Sequence, residues 1–367
     1  MKITLPSFIH LFFILISINI VSCSKRTEVQ PDEVKTIFVG SSAGVLYSFD
    51  AARGTENWQF KINGSIYSTP TVDKEVVFVG GGRSLYAVDV ITGRKRWSFE
   101  TGGLVTSSPT VVNDIVYVGS WDGSLYAVNA ITGNKMWDFE GLSDFDSSPT
   151  IVDGTIYIGN YGGMVYAIDA ATGAKKWGVS TKYPVFSNPA VLDGTVYYGC
   201  YDGSVHALNA SSGQKLWQGN TDDYITSSPT IANGILYVGS GDGNFYAFDA
   251  KTGSKEWDFR TKGYVDSSPI VKNDIVYFGS GDKSFYAVDA KSGIKKWSLA
   301  TSNVIEGSPV IGDGVIYFGS YDRKLYAVDA HTGIGNWVVE TEGGVGSPCV
   351  LMKSGKVLHP GISGDEQ

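Results

Sequence analysis

Four aromatic residues recur at one place in a repeating pattern. Trp121, Tyr161 and Tyr201 follow one another at intervals of 40 residues, and Tyr321 falls in the same register. Exposed aromatic rings bind by stacking and dominate the hot spots of protein interfaces, so rings on adjacent loops would form a binding patch. The alternative is that these rings pack only within their own loops.

A second variable position lies immediately before a recurrent Ser-Ser-Pro segment. Its acidic occupants suit a cation or a basic peptide, and the alternative is a solvated rim of mixed composition. The residues at this position are Tyr67, Thr106, Asp146, Phe186, Thr226, Asp266, Glu306 and Val345.

The other polar candidates offer less chemistry. His206 stands where sister segments carry tyrosine, and we interpret it as a packed side chain because no cluster of histidine, cysteine or carboxylate residues repeats near it. The chain has 3 cysteines, at positions 23, 200 and 349. No pairing of nucleophile and base and no metal-ligand spacing is recognisable, so the sequence predicts no catalytic residue and no metal site.

A period near 40 residues organises most of the chain, which indicates a repeat architecture. Tryptophan marks this period in every repeat, whereas Trp121 is out of phase. We interpret the in-phase rings as packing between repeats, since a ligand site would not need so many copies. They are Trp58, Trp97, Trp137, Trp177, Trp217, Trp257, Trp297 and Trp337.

Each repeat reads as four short strands, which we label A to D. In one repeat they lie near residues 107–112, 115–119, 125–128 and 135–139, and each is rich in β-branched or aromatic residues. Asn113-Asp114 between A and B suits a two-residue hairpin turn. An Asp-Ala-x-Thr-Gly turn joins C to D, where the aspartate can accept hydrogen bonds from the backbone.

These units predict an all-β fold, an eight-bladed β-propeller of four-stranded antiparallel blades. The first B strand has no A strand before it, and the last A strand has no blade after it. We therefore expect a propeller over residues 36–352, closed by a C-terminal strand that completes the first blade. Residues 353–367 are predicted to be a tail, in which 356–358 resemble a degenerate B strand that pairs locally.

This map places the B–C and D–A loops on one face, where the variable positions lie. With strand A innermost, the residues before Ser-Ser-Pro ring the mouth of the central channel. Cys200 and Cys349 fall four blades apart. A disulfide needs Cα atoms within roughly 7 Å, so we predict two free, mostly buried thiols.

The N-terminus reads as a secretory signal, with Lys2 followed by an apolar stretch too short to span a membrane. Ile20-Val21-Ser22-Cys23 resembles the bacterial lipobox, in which the cysteine is lipidated and becomes the mature N-terminus. This predicts a lipoprotein signal peptide over residues 1–22, a lipid on Cys23 and a polar tether over 23–35. An ordinary cleavage site with an incidental cysteine is the alternative.

Composition excludes several classes of protein. Charged residues make up 18% of the chain and aromatic residues 13%, which excludes an intrinsically disordered chain. The 46 glycines do not fall at every third position, which excludes collagen. A formal net charge of -8 argues against a nucleic-acid partner and against an electrostatic membrane patch.

The turn pattern is similar to that of a known family. Ala127-Val128-Asn129-Ala130-Ile131-Thr132-Gly133 with Trp137, and its sister copies, resemble the pyrroloquinoline-quinone-type (PQQ-type) propeller repeat. A lipid-anchored chain made only of such repeats resembles the propeller lipoprotein of the outer-membrane β-barrel assembly machinery. That resemblance implies a non-enzymatic scaffold, monomeric, in the cell envelope at the outer membrane, on its periplasmic or surface side. Its partners would be assembly subunits.

Two other functions stay open at this point. Stacking at Trp121, Tyr161 and Tyr201 beside acidic residues would also suit a glycan or another surface ligand. A PQQ-dependent dehydrogenase shares the repeat, but those enzymes are longer and use inserted segments and a pair of adjacent cysteines. This chain has no Cys-Cys pair and no long insertion, so we expect neither enzyme activity nor PQQ binding.

Overall fold

A computed structural model describes residues 36–346 of the chain, together with the backbone of 350–353 and 356–358. The predicted signal peptide, the lipidation site Cys23, the tether and Cys349 lie outside the described residues. Every regular element within them is a β-strand. Among these residues no helix has the length and apolar character needed to cross a membrane.

The strands repeat in the order A, B, C, D. The A strands are β4 (Thr71–Asp73), β8 (Thr110–Val112), β12 (Thr150–Val152), β16 (Ala190–Leu192), β20 (Thr230–Ala232), β24 (Ile270–Lys272), β28 (Val310–Gly312) and β32 (Val350–Lys353). The B strands are β1 (Thr36–Gly40), β5 (Val76–Gly81), β9 (Ile115–Gly119), β13 (Thr155–Gly159), β17 (Thr195–Gly199), β21 (Ile235–Gly239), β25 (Ile275–Gly279) and β29 (Val315–Ser320).

The two outer strands of each blade are six residues long. The C strands are β2 (Val45–Asp50), β6 (Ser84–Asp89), β10 (Ser124–Asn129), β14 (Met164–Asp169), β18 (Ser204–Asn209), β22 (Asn244–Asp249), β26 (Ser284–Asp289) and β30 (Lys324–Asp329). The D strands are β3 (Glu56–Lys61), β7 (Lys95–Glu100), β11 (Lys135–Glu140), β15 (Lys175–Ser180), β19 (Lys215–Asn220), β23 (Lys255–Arg260), β27 (Lys295–Ala300) and β31 (Gly335–Glu340).

The described strands form eight antiparallel sheets, numbered here as blades 1 to 8 in chain order, so that blade 1 contains β1, blade 2 contains β4, blade 5 contains β16 and blade 8 contains β28. Blade 1 has the strand order β3-β2-β1-β32-β33, in which β33 is Lys356–Leu358. β32 pairs with β1 in the register Ile37↔Leu351. The predicted eight-bladed propeller and its closure by a C-terminal strand are therefore confirmed. Lys353 is the last residue of β32, and residues 356–358 pair with that strand, as the expected local pairing of this segment requires.

The turns adopt the conformations that their residue types favour. Asn113 and Asp114 between β8 and β9 have φ of 52° and 60°, the left-handed values of a type I′ hairpin. Between β14 and β15, Asp169 Oδ1 accepts hydrogen bonds from the backbone N–H and the hydroxyl of Thr172 at 3.1 and 2.9 Å. Gly173 follows with φ of 74°. A Cβ atom there would also lie 2.8 Å from the Trp137 ring of the preceding blade.

The in-phase tryptophans connect neighbouring blades. The indole N–H of Trp97 donates to the carbonyl of Ala130 in the next blade at 3.0 Å, and that of Trp337 donates to Ala51 across the closure at 3.0 Å. Seven of the eight indoles make this bond, and Trp137 has no hydrogen-bond partner among the described residues. The apolar core also lies between blades, as where Val39 of blade 1 packs in one cluster with Tyr317 of blade 8.

The Ser-Ser-Pro segments form the innermost ring. The backbone N–H of Ser108 donates to Ser148 Oγ at 2.8 Å, and Thr110 Oγ1 donates to the carbonyl of Pro149 at 2.7 Å. Both bonds join the A segments of adjacent blades, so strand A is the inner strand of every blade in which these contacts are seen. The residue before Ser-Ser-Pro consequently lies at one mouth of the channel.

Candidate functional site

The B–C and D–A loops meet on one face, which we call the loop face. The backbone N–H groups of Trp121, Tyr161 and Tyr201 donate to carbonyls of the adjacent D–A loops at 2.9, 2.9 and 3.0 Å. The acceptors are Leu104, Asp144 and Pro184 in that order. We call the opposite face, made by the A–B and C–D turns, the turn face.

Aspartates fix the loop face to the strands beneath it. Asp122 Oδ2 accepts from the backbone N–H of Gly102 at 2.6 Å and from the hydroxyl of Tyr126 at 2.9 Å. The hydroxyl of Tyr246 reaches Asp242 in the same way at 2.7 Å. Burial, followed by the bonded carboxylate, raises the pKa of Tyr126 to about 12, so the phenol stays a donor at physiological pH. The loops are therefore held as a rigid platform.

Aromatic side chains from two kinds of loop form a continuous row on this face. Ring centroids lie 5.8 Å apart for Tyr161 and Phe186, 5.6 Å for Phe186 and Tyr201, and 4.9 Å for Tyr201 and Tyr224. Tyr161 is 56% exposed and Tyr201 44% exposed. We call these four residues the aromatic row. The sequence placed Tyr161, Phe186 and Tyr201 on this face, and the structure brings them into contact.

Trp121 is coupled to the acidic position beside it. Its indole N–H donates to Asp146 Oδ1 at 2.7 Å and to Thr106 Oγ1 at 2.9 Å, while 41% of the residue stays exposed. Tyr321 is less exposed than Trp121, Tyr161 and Tyr201. Burial and the nearby Glu306 carboxylate raise the pKa of its phenol. The predicted binding residues thus fall into two groups at the channel mouth, one around Trp121 and the aromatic row and one around Glu306.

The second sector is acidic. Glu306 accepts a hydrogen bond from the hydroxyl of Tyr264 at 2.6 Å, and Asp266 accepts one from Thr226 at 2.7 Å. Burial, with a smaller contribution from Glu306, raises the pKa of Asp266 to about 6. We call Asp266, Glu306 and Tyr264 the acidic sector. Tyr67 lies on the same face and is 49% exposed.

The placement of Val345 at the channel mouth is wrong. Val345 is fully buried between blades 8 and 1, where it occupies the place that Ile305 has one repeat earlier. The last D–A loop has one residue fewer before its Ser-Pro pair, so counting back from that pair shifted the register. Gly346, not Val345, is the equivalent of Glu306.

Sequence reasoning missed two tyrosines of this face, Tyr224 and Tyr264. Each covers a glycine of the neighbouring B–C loop. A Cβ atom on Gly241 would lie 2.6 Å from the Tyr224 ring, and one on Gly281 would lie 2.6 Å from the Tyr264 ring. In these two blades, whose B–C loops have no aromatic residue, the D–A loop therefore supplies the ring. The signal was a tyrosine paired with a glycine 17 residues later.

One group of described residues has the chemistry to hold a metal ion. Donor atoms of Cys200, Asp202 and His206 all lie within 4.8 Å of one another in blade 5. His206 Nε2 is 3.3 Å from Asp202 Oδ2, and its ring stacks on Tyr198 at 5.1 Å. Burial lowers the pKa of His206 and raises that of the Cys200 thiol to about 12. His206 is thus packed, as expected. The sequence analysis did not predict that a cysteine and an aspartate would lie beside it.

Comparison with known proteins agrees with the fold and repeats: the chain is a PQQ-type β-propeller that resembles BamB. It belongs to the family described as the β-propeller of the beta-alanine-activating enzyme, whose model matches residues 24–235 of 367. A second family model, described as outer membrane protein assembly factor BamB, matches residues 201–337. No curated protein sequence gives a significant match.

Solved structures with this architecture are numerous. BamB from Moraxella catarrhalis is 19% identical, with a TM-score of 0.67 over 83% of this chain and 93% of that one. The computationally designed Ika8 protein is 20% identical, with a TM-score of 0.70 over 81% and 96%. The quinohemoprotein alcohol dehydrogenase from Comamonas testosteroni is 17% identical, with a TM-score of 0.67 over 80% and 70%. At these identities the likeness shows the fold alone, so function has to be argued from the loop face.

Proposed function

We propose that this chain is a non-enzymatic scaffold that binds a protein partner through the loop face. One observation carries the proposal: the aromatic row and Trp121 expose large rings beside the acidic sector at one channel mouth. Tyrosine and tryptophan supply interface area at low entropic cost and dominate hot spots. Carboxylates and ring faces together attract lysine and arginine, so the partner segment is basic and extended.

The proposal extends to the cell envelope. We propose that the lipid on Cys23 anchors the chain at the outer membrane and that its partners are subunits of the β-barrel assembly machinery. Two observations support this. The family model of assembly factor BamB matches residues 201–337, which include Tyr201, Tyr224 and the acidic sector. The lipobox-like Ile20-Val21-Ser22-Cys23 precedes the propeller by a short polar tether.

We propose no role for a quinone cofactor, because the described residues do not fit that group. Pyrroloquinoline quinone is a polycarboxylate, and the channel mouth is lined by the carboxylates of Asp146, Asp266 and Glu306, which would repel it. The B–C loops have only two to four residues, so none carries an insertion that could enclose a cofactor against the mouth. The dehydrogenase reading therefore has no support from these residues.

A glycan is the second candidate ligand. Exposed rings at Trp121 and Tyr161 with a hydrogen-bonding carboxylate at Asp146 are a combination that also binds sugars by stacking and polar contacts. The protein-partner and glycan hypotheses use the same aromatic rings, so the same variants test both. The two hypotheses differ in whether a protein or a glycan binds to the wild-type chain.

The test is copurification from gently solubilised native membranes with the lipidated protein as bait. The loop-face variant is Trp121→Ala/Tyr161→Ala/Tyr201→Ala. The matched control, Ile91→Ala/Ile131→Ala/Ile334→Ala, removes three exposed apolar side chains from the turn face. We expect the wild type and the control to recover barrel-assembly subunits, and the loop-face variant to lose them.

Two results would contradict the proposal. One is equal recovery of the same subunits by the loop-face variant, provided that both variants melt within a few degrees of the wild type. The other is recovery of no protein by any bait, together with binding of the soluble propeller to a glycan array that the loop-face variant loses. The second result would establish the glycan reading.

A further inference from the structure

Blade 5 departs from its sister blades at two positions that meet in space. Where blades 1, 3, 6, 7 and 8 have serine before the B–C loop, blade 5 has Cys200, and where the other blades have tyrosine in strand C, it has His206. The aspartate of the loop is kept as Asp202. Both replacements introduce a side chain that binds transition metals, and both lie against the same carboxylate.

The corresponding contacts in blade 6 show which hydrogen bonds the cysteine and histidine of blade 5 replace. There the hydroxyl of Tyr246 donates to Asp242 at 2.7 Å, and Ser240 Oγ donates to the carbonyl of Asp223 at 3.1 Å. In blade 5 the imidazole lies 3.3 Å from Asp202 Oδ2, and the thiol lies 3.8 Å from the carbonyl of Tyr183, the equivalent of Asp223. The imidazole contact is longer than the phenol contact that it replaces, and a thiol is a weaker hydrogen-bond donor than a hydroxyl. Blade 5 thus has two weak hydrogen bonds beside a carboxylate that it shares with its sister blades.

We propose that Cys200, Asp202 and His206 bind a Zn²⁺ ion. A thiolate, an imidazole and a carboxylate are a donor set that suits this borderline-soft cation. Tetrahedral zinc places its ligand atoms about 3.5 Å apart, and the three donor atoms here already lie within 4.8 Å of one another. Binding replaces the thiol proton, which passes to water, and leaves the fourth position to a water molecule.

The surroundings support the three ligands. The backbone N–H of Ser204 donates to Asp202 Oδ1 at 2.9 Å, which leaves Oδ2 directed at the imidazole. Stacking on Tyr198, which is almost fully buried, fixes the plane of the His206 ring. Asp202 is the exposed member of the group, whereas Cys200 and His206 are buried. The ion therefore enters from the loop face, past Asp202.

The repeat supplies variants that should fold. Cys200→Ser/His206→Tyr gives blade 5 the residues of blade 6, where the same backbone already accommodates serine and tyrosine. The reciprocal variant, Ser240→Cys/Tyr246→His, places the blade 5 residues around Asp242. Melting temperatures of the metal-free proteins report whether each variant is folded.

The experiment titrates the purified full chain with Zn²⁺ and with Co²⁺, whose spectrum reports its ligands. We expect one Co²⁺ per wild-type chain, with sulfur-to-cobalt charge-transfer absorption and the visible bands of a tetrahedral ion. We expect Cys200→Ser/His206→Tyr to lose the sulfur band and to bind Zn²⁺ about 100-fold more weakly or worse. Ser240→Cys/Tyr246→His should bind a second ion.

Three results would overturn the zinc assignment. The first is a wild-type chain that binds no Zn²⁺ at a Kd of about 10 µM or tighter, the range in which three protein ligands should hold the ion. The second is a sulfur-to-cobalt band that persists in Cys200→Ser/His206→Tyr, which would place the ion on a different cysteine. The third is a folded Ser240→Cys/Tyr246→His variant that gains no ion.

Discussion

The two faces of the propeller use the same kinds of residues for opposite purposes. On the turn face, the tryptophans bond to the next blade, and the C–D turn glycines lie against their rings, as Gly253 does on Trp217. On the loop face, Trp121 is out of phase and exposed, and its N–H reaches a carboxylate at the channel mouth. A ring that packs between two blades recurs in every blade, whereas the exposed ring of Trp121 occurs once at its position in the repeat.

Aspartates show the same contrast. On the turn face, bonds from Thr252 lower the pKa of Asp249, and bonds from Ser292 and Lys296 lower that of Asp289 to about 2. On the loop face, burial raises the pKa of Asp266 to about 6. On the turn face, hydrogen bonds from neighbouring residues stabilise the charged carboxylates of Asp249 and Asp289. At Asp266 the loop face holds a carboxylate whose charged form is disfavoured by burial, as the proposed binding of a cationic partner would use.

The most severe way to break this comparison is to open the ring on which both faces depend. Deleting residues 350–358 removes the two strands that complete blade 1 and exposes the edge of β1. We expect the unfolding free energy to fall by about 5 kcal/mol or more, measured by chemical denaturation. Removing only residues 359–367 is the control and should leave stability unchanged. Equal stability of the two truncations would show that β32 does not close the ring.

A pair of tryptophan variants compares the faces directly. Trp257→Ala removes a ring that packs between blades and donates to the Ala290 carbonyl at 3.1 Å, so we expect a loss of about 3 kcal/mol. Trp121→Ala removes a ring that is 41% exposed, and we expect a loss of less than about 1 kcal/mol. Thermal and urea unfolding measure both. Equal losses would mean that Trp121 also serves the fold.

The pH dependence of stability should have opposite signs on the two faces. Since the pKa of Asp266 is raised to about 6 in the folded chain, the unfolded chain ionises first as pH rises from 4 to 6, and stability is lost over that window. Asp266→Asn should therefore gain about 2 kcal/mol relative to the wild type between pH 4 and pH 7.

Asp249→Asn is the control with the reverse sign. The lowered pKa of Asp249 stabilises the folded wild type above the carboxyl's usual pKa, and this contribution is lost as pH falls below about 4. The variant should thus lose stability relative to the wild type as pH rises through that window. Parallel pH profiles for the two variants would contradict the assigned environments.

The smallest expected effect on stability distinguishes two reasons for a glycine on the turn face, which are a positive φ and close contact with a tryptophan ring. Gly234 and Gly253 both have positive φ, 77° and 74°. A Cβ atom meets nothing within 4 Å at Gly234, but lies 2.4 Å from the Trp217 ring at Gly253. We expect Gly234→Ala to cost about 1 kcal/mol from backbone strain alone, and Gly253→Ala to cost about 1 kcal/mol more. Urea denaturation of both variants checks the difference.

The fold was predictable because each blade repeats the same local choices. Asn113-Asp114 and Asp169 specify their turns by residue type alone, and the tryptophan period counts the blades. The loop face was only partly predictable, because its contacts cross between loops whose spacing varies. The one-residue shortening before the last Ser-Pro pair misplaced Val345, and the meeting of Cys200 with His206 needs the pairing of strands B and C to be seen.

We propose that the loop face, and not the turn face, binds the partner. Site-specific photocrosslinking in native membranes tests it most directly, with the probe at Tyr183, which is 52% exposed on the loop face, or at Ile131, which is 72% exposed on the turn face. We expect the Tyr183 probe to crosslink a barrel-assembly subunit and the Ile131 probe to give no such product. A crosslink to that subunit from Ile131, and none from Tyr183, would contradict the account.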